Sequence, residues 1–183
     1  MVLAWYFNPS DEDKRLPHKK EPNVPVSIED LERKTGVRCL KVDPEGYQGN
    51  ETYRTLRKER LYKYEDSIDV TDRKPEFDEI LKTFYIEHLH ADDEVRYTVG
   101  GSGYFDVRDE DDAWIRIHIE SGDLITLPAG IYHRFALDTK NHSIKLVRLF
   151  TEVPVWTPFP RPADNHPARL AYINSRKLKD TDA

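Results

Sequence analysis

Between residues 86 and 150 the chain alternates between apolar and polar character in short runs, each closed by turn-forming residues. The runs are 86–90, 94–99, 103–107, 114–119, 123–127, 132–136 and 144–150. The interruptions include Ala91-Asp92-Asp93, Gly100-Gly101-Ser102-Gly103, Ser121-Gly122-Asp123, Pro128-Ala129-Gly130 and the stretch from Asp138 to Asn141. Many short strands joined by close turns predict an antiparallel sandwich or barrel. In 114–119, Ile115, Ile117 and Ile119 share one parity while Trp114, Arg116 and His118 share the other, which reads as a half-buried strand.

The first 85 residues read differently. Val2 to Phe7 is an apolar cluster that predicts a short docked strand, followed by a proline-rich loop. Ser27 and Asp30 form a capping-box pattern, with Val26 and Leu31 as its staple and Gly36 as the stop. A strand over 37–42 and a helix over 50–62 follow. Phe77, Ile80, Leu81 and Phe84 recur at helical spacing after Pro75. These helices belong outside the β structure. Residues 154–167 carry five prolines and predict an irregular crossover. The expected organisation is one domain over 1–173 and a frayed tail over 174–183.

Composition excludes several functions. The 183 residues include 28 Lys and Arg against 34 Asp and Glu, a net charge of −6, with no basic cluster of the kind a general nucleic-acid binder needs. No apolar run approaches the length of a membrane span, and the N-terminus lacks the basic and apolar regions of a secretory leader. The lone Cys39 makes neither an intrachain disulfide nor a thiolate metal site. A soluble monomer in the cytoplasm is the default expectation, and a chain of 21.5 kDa can also enter the nucleus passively.

Against that background the histidines stand out. His88 and His90 are two apart, and Glu94 follows four residues later. On a strand, residues two apart face the same way, so both imidazoles can converge. A straight strand would carry 88 and 94 about 20 Å apart, too far to share one ion. The chain must therefore turn at Ala91-Asp92-Asp93 and bring Glu94 back on a neighbouring strand. His133, after the Pro128-Ala129-Gly130 turn, is the candidate fourth ligand. Two imidazoles and a carboxylate suit a divalent first-row metal. Arg96 has the parity of Glu94 and should enter the same pocket, although it could instead pair with Asp92 or Asp93 at the surface. His118 has the parity of Trp114 and is not a ligand.

These residues fall in two blocks, His88-x-His90-x3-Glu94-x6-Gly101 and Gly122-x5-Pro128-x-Gly130-x2-His133, which resemble the paired motifs of the cupin superfamily. Lys82 stands where that pattern usually has glycine, and Leu137 where it often has asparagine. A narrower resemblance is to the acireductone dioxygenases. Glu87-His88-Leu89-His90-x-Asp92-Asp93-Glu94-x-Arg96-Tyr97, the stretch Gly101 to Asp109, Leu127 to Phe135 and Glu152-x-Pro154-Val155-Trp156 carry it. Ala4-Trp5-Tyr6 and Arg161-Pro162-Ala163-Asp164 fit its eukaryotic branch.

The resemblance implies a mainly β, cupin-type antiparallel barrel (jelly roll). It implies one iron(II) or nickel(II) ion per chain, held by His88, His90, Glu94 and His133. The substrates would be dioxygen and the acireductone 1,2-dihydroxy-5-(methylthio)pent-1-en-3-one of methionine salvage. With iron the products would be 4-methylthio-2-oxobutanoate and formate; with nickel, 3-(methylthio)propanoate, formate and carbon monoxide. Arg96 would be catalytic, stabilising an enediolate oxygen. Phe84, Phe135, Arg148 and Trp156 would bind substrate, although Phe84 also completes a helical core stripe. A cupin dioxygenase or isomerase with another substrate, and a cupin retained only for binding, are the competing readings.

Overall fold

The computed structural model describes residues 2–153 and 157–180. In chain order the elements are β1 (Leu3–Tyr6), β2 (Pro25–Val26), α1 (Ile28–Thr35), β3 (Arg38–Lys41), α2 (Glu51–Glu59), β4 (Tyr64–Thr71), α3 (Phe77–Phe84), β5 (His88–Leu89), β6 (Glu94–Arg108), β7 (Trp114–Glu120), β8 (Asp123–Leu127), β9 (His133–Leu137), β10 (Ser143–Phe150), β11 (Phe159–Pro160) and α4 (Pro167–Asp180).

The organising element is β6. The sequence reading divides this stretch at Gly100 to Gly103, but the structure runs one strand through all fifteen residues. The glycines bend the strand instead of reversing it. Gly101 adopts φ 73°, and a Cβ there would stand 2.0 Å from the Ser143 carbonyl oxygen, so only glycine fits. The partner strand shifts register at the same level, between Lys145 and Leu146. The bend lets β6 serve two sheets. Its first half pairs with β8 and β10, which extend to β3 and β4. Its second half pairs with β7 and β9, which extend to β1 and β2 on one side and to β5 and β11 on the other. All these pairings are antiparallel.

The principal core lies between the two sheets. Val107, Ile115, Ile117 and Leu137 from one meet Val70, Ile125, Leu127 and Leu146 from the other. A second cluster covers the outer face of the β8–β6–β10 sheet, where Tyr53 of α2 packs on Val95, Tyr97, Leu124 and Val147. With both faces covered, every residue of β8 is buried.

β7 keeps the expected half-buried alternation at Trp114 and His118, opposite the buried isoleucines, and departs from it at Arg116. Arg116 is fully buried. Its guanidinium makes two bonds to Asp106, at 2.7 and 2.9 Å, and donates to the carbonyls of Lys14 and Leu16 in the N-terminal loop. Long-range hydrogen bonds from Arg116 to two loop carbonyls thus bring in the loop that a strand-parity argument leaves in solvent.

The helices follow local signals. The Ser27 hydroxyl accepts the Asp30 N–H at 3.0 Å, and Gly36 closes α1 at φ 76°. Asn50 caps α2, which ends short of residue 62 because Leu61 turns to φ 56°. α3 matches its stripe, with Phe77, Ile80, Leu81 and Phe84 packed on the core. Beyond the two-residue strands β2 and β11, two further elements are new: β4, and a helix where a frayed tail was expected from residue 174. α4 continues to Asp180 because its side chains find distant partners. Tyr172 is buried and donates to the Thr35 carbonyl at 2.9 Å, and Arg176 donates to the Glu32 and Arg33 carbonyls at the end of α1. Among the described residues no helix is long and apolar enough to cross a membrane.

Candidate metal centre

The histidines converge where the two sheets meet. His88 on β5 is the register partner of His133 on β9, so their imidazoles face the same side. His90 follows β5 immediately. The ligand nitrogens of His88, His90 and His133 all lie within 4.8 Å of one another. Glu94 arrives from the opposite sheet, at the start of β6. β9 therefore stands between β5 and β6, so the carboxylate does not return on the strand beside the histidines, as the turn argument predicts. It reaches them across the interior. Asp93 and the Gly130 N–H fix this geometry. The Asp93 carboxylate accepts from Ala129 N–H at 3.0 Å, and Gly130 N–H donates to the His90 carbonyl at 2.9 Å. Gly130 sits at φ 79°, with the Ala168 carbonyl oxygen 2.2 Å from where a Cβ would be.

Each imidazole is oriented by a backbone carbonyl. Nδ1 of His88 lies 2.7 Å from the Ile86 oxygen, Nδ1 of His90 3.0 Å from the Thr157 oxygen, and Nδ1 of His133 3.0 Å from the Ile131 oxygen. A carbonyl can only accept, so each Nδ1 carries the proton and each Nε2 presents a lone pair. His133 Nε2 stands 2.9 Å from Glu94 Oε2, and His90 Nε2 stands 3.4 Å from it. Both His133 Nε2 and Glu94 Oε2 are buried without a hydrogen-bond partner. Lone pairs facing one another in a dry site are unfavourable unless a cation lies between them. The donor set therefore fits a divalent ion.

Charge states agree with that fit. Burial pushes the His88 imidazole down and the His90 imidazole down to about 4, so both are neutral at physiological pH. Burial alone would raise the Glu94 carboxyl, but the Arg96 guanidinium beside it holds it well below the usual carboxylate range. Arg96 Nη2 stands 2.9 Å from Glu94 Oε1, and its Nη1 donates to the Val95 carbonyl at 3.0 Å. Arg96 thus enters the pocket and pairs with Glu94, not with the surface residues Asp92 or Asp93.

Above the cluster is a cavity of about 110 Å³. Phe84, Phe105 and Phe135 form one wall, with ring centroids 6.0 Å apart for Phe84 and Phe135 and 5.0 Å for Phe105 and Phe135. Ile68, Val70 and Leu146 form the other. Phe84 lines the cavity and also ends the α3 stripe. Arg148 also lines it, directly opposite Arg96 in the ladder. Asp66 accepts from Arg148 Nε at 2.6 Å. Trp156 lies outside the described residues. His118 faces Asp138 and Tyr104 on the far side of the sheet, away from the cluster. A larger depression of about 500 Å³, lined by Arg60, Tyr62, Asp92, Asp93 and Phe150 among others, holds no imidazole among the described residues.

Sequence reasoning missed Asp66, Phe105 and the three orienting carbonyls. β4 alternates Asp66, Ile68 and Val70 on one parity, a pattern that could have placed Asp66. The carbonyls carry no side-chain signal at all.

The profile of the ARD/ARD' family matches residues 3–158. The acireductone dioxygenase of Branchiostoma floridae is 52% identical over 179 residues, covering 97% of this chain and 99% of that one. That of Gallus gallus is 51% identical over 174 residues, covering 94% and 96%. The structure described as acireductone dioxygenase from Bacillus anthracis with a cadmium ion in its active center superposes with a TM-score of 0.64 at 26% identity, covering 76% of this chain and 94% of that one. The mainly antiparallel, cupin-type fold expected from the paired motifs is thus shared with a metal-containing relative.

Proposed function

This chain belongs to the ARD/ARD' family, and from that premise we propose that it is the acireductone dioxygenase of methionine salvage, cleaving 1,2-dihydroxy-5-(methylthio)pent-1-en-3-one with dioxygen. With iron(II) the products are 4-methylthio-2-oxobutanoate and formate; with nickel(II) they are 3-(methylthio)propanoate, formate and carbon monoxide. The observation that carries the reading is the cluster of imidazole lone pairs turned onto one carboxylate at the foot of an apolar cavity.

His88, His90, Glu94 and His133 hold one divalent ion, and a donor set without sulfur suits iron or nickel. Bound there, the ion would supply Lewis acidity toward the enediolate. Arg96 supplies fixed positive charge beside it. A guanidinium keeps its protons across the working pH range, so Arg96 stabilises an enediolate oxygen by donating hydrogen bonds without giving up a proton. Its bond to Glu94 fixes it before substrate arrives. Arg148, tethered by Asp66, adds a second cation on the same face. Phe84, Phe105 and Phe135 receive the thioether tail and keep water away. For Trp156 the sequence resemblance is the support. The enzyme acts as a monomer in the cytoplasm and nucleus, which sedimentation and imaging of the tagged chain test.

The deciding experiment reconstitutes metal-free protein with iron(II) or nickel(II) and follows the substrate under air. Accelerated decay with formate, and carbon monoxide with nickel alone, is expected. Decay no faster than without protein overturns the proposal.

A further inference from the structure

Among the described residues, the short segment that supplies the Thr157 carbonyl is held to the metal centre by few backbone bonds. β11 pairs only Phe159 with Leu89 and Pro160 with His88, and Pro160 has no N–H to donate. The next residue provides a stronger attachment. Arg161 N–H donates to the Glu87 carbonyl at 3.0 Å. The Arg161 guanidinium donates to Glu87 Oε1 at 2.8 Å and makes two bonds to Asp112, at 2.8 and 2.9 Å. Glu87 is gripped from its other side by Arg108, at 3.0 and 3.1 Å. The Arg161 guanidinium also lies over the Tyr132 ring, 4.8 Å from its centroid. Tyr132 precedes His133, and its hydroxyl accepts the Ala163 N–H at 2.6 Å while donating to Asp164 at 3.0 Å.

We infer that Arg161 is a positioning residue of the metal centre. It clasps the 157–163 arm across β5 and so presents the Thr157 carbonyl to His90 Nδ1. That contact fixes the tautomer in which His90 Nε2 carries a lone pair and Nδ1 the proton. Its partners explain the choice of arginine. Glu87 adjoins His88, Asp112 lies in the β6–β7 hairpin and Tyr132 adjoins His133, so one planar group with five donors spans three segments that a lysine could not join together. The inference rests on reading the cluster as a metal centre. It assigns its device to His90 alone, because His88 and His133 take their carbonyls from Ile86 and Ile131, two positions earlier in their own segments.

The test uses the full chain and two readouts. Histidine ¹⁵N spectra of the metal-free protein report each tautomer, and chelator-driven release of nickel(II) reports the hold on the ion. In Arg161→Ala, the His90 ring signals should move towards a tautomeric mixture while those of His88 and His133 stay. Nickel release should accelerate by about 10-fold or more, the range found when a ligand's outer partner is removed. Arg161→Lys should fall between the two. Asp112→Asn, at a more exposed position, loosens the clasp from its outer end and gives the same pattern at smaller size if the alanine variant does not fold. Unchanged His90 signals and release overturn the inference. So does an equal shift of all three histidines, which would mean that Arg161 acts through the whole fold. If the wild-type chain binds no nickel, the metal reading fails on its own, and the spectra of the metal-free protein still decide the clasp.

Discussion

Replacing Glu94 by glutamine keeps the side chain's shape and removes one charge. Glu94 Oε1 stands 2.9 Å from Arg96 Nη2, and the two side chains are 6% and 5% exposed. At an effective dielectric of about 20, this separation corresponds to about 6 kcal/mol of Coulomb attraction. The glutamine carbonyl still accepts from Arg96, at roughly half the strength of a charge-assisted bond. The metal-free variant should therefore lose about 2–3 kcal/mol, slightly less than severing a buried pair outright. Metal widens the gap. Wild type in nickel(II) at a hundredfold excess over its Kd should gain about 2.7 kcal/mol, whereas the variant, with a neutral oxygen at the centre, should gain less than about 1 kcal/mol. Urea unfolding followed by tryptophan fluorescence, with chelator and with nickel, measures both terms. A variant as stable as wild type in chelator would show that Glu94 is not the counter-charge of Arg96. An equal gain from nickel would show that Glu94 is not a ligand.

Three more outcomes follow from the same geometry. In metal-free protein, unfolded His90 takes a proton below about pH 6.5 but folded His90 only below about 4, so the unfolded state binds more protons in between and stability falls as pH falls through that window. The expected loss from pH 7 to pH 5 is about 2 kcal/mol, read from urea midpoints; a flat profile contradicts it. Arg96→Gln should lower kcat by about 10²-fold with a smaller change in KM, measured by substrate decay under air, and an unchanged kcat removes Arg96 from the chemistry. Phe135→Ala should destabilise by about 3–4 kcal/mol and raise KM for the methylthio substrate more than for an acireductone lacking that tail, a comparison that checks the assignment of the aromatic wall.

The site was legible to the extent that it is local. His88 and His90 sit two apart, and a strand carries such a pair on one face whatever surrounds it. The need for a turn before Glu94 follows from reach alone. Pro128-Ala129-Gly130 announces its own turn through residue chemistry, as Ser27 and Gly36 announce the ends of α1. Gly101 shows where local reading stops. A glycine-rich stretch signals either a reversal or a bend, and only the strands on both sides of β6 select the bend. β4 was missed because Glu65, Asp66 and Asp69 dilute its alternation, and α4 because its anchors, Thr35 and the end of α1, lie more than 130 residues away.

By itself the sequence pointed to the β-rich class and the candidate ligands, because side-chain periodicity and turn chemistry are properties of neighbouring residues, and its motifs carried the family resemblance. The tertiary structure decided that Glu94 and Arg96 come from one sheet while the three histidines come from the other. It also decided that Arg116 is buried, that Asp66 holds Arg148, and that a carbonyl 67 residues away sets the tautomer of His90. Each of these depends on which distant backbone groups and charges are left in a dry interior, where every donor, acceptor and ion must find a partner. Chain order does not specify that pairing, and packing does.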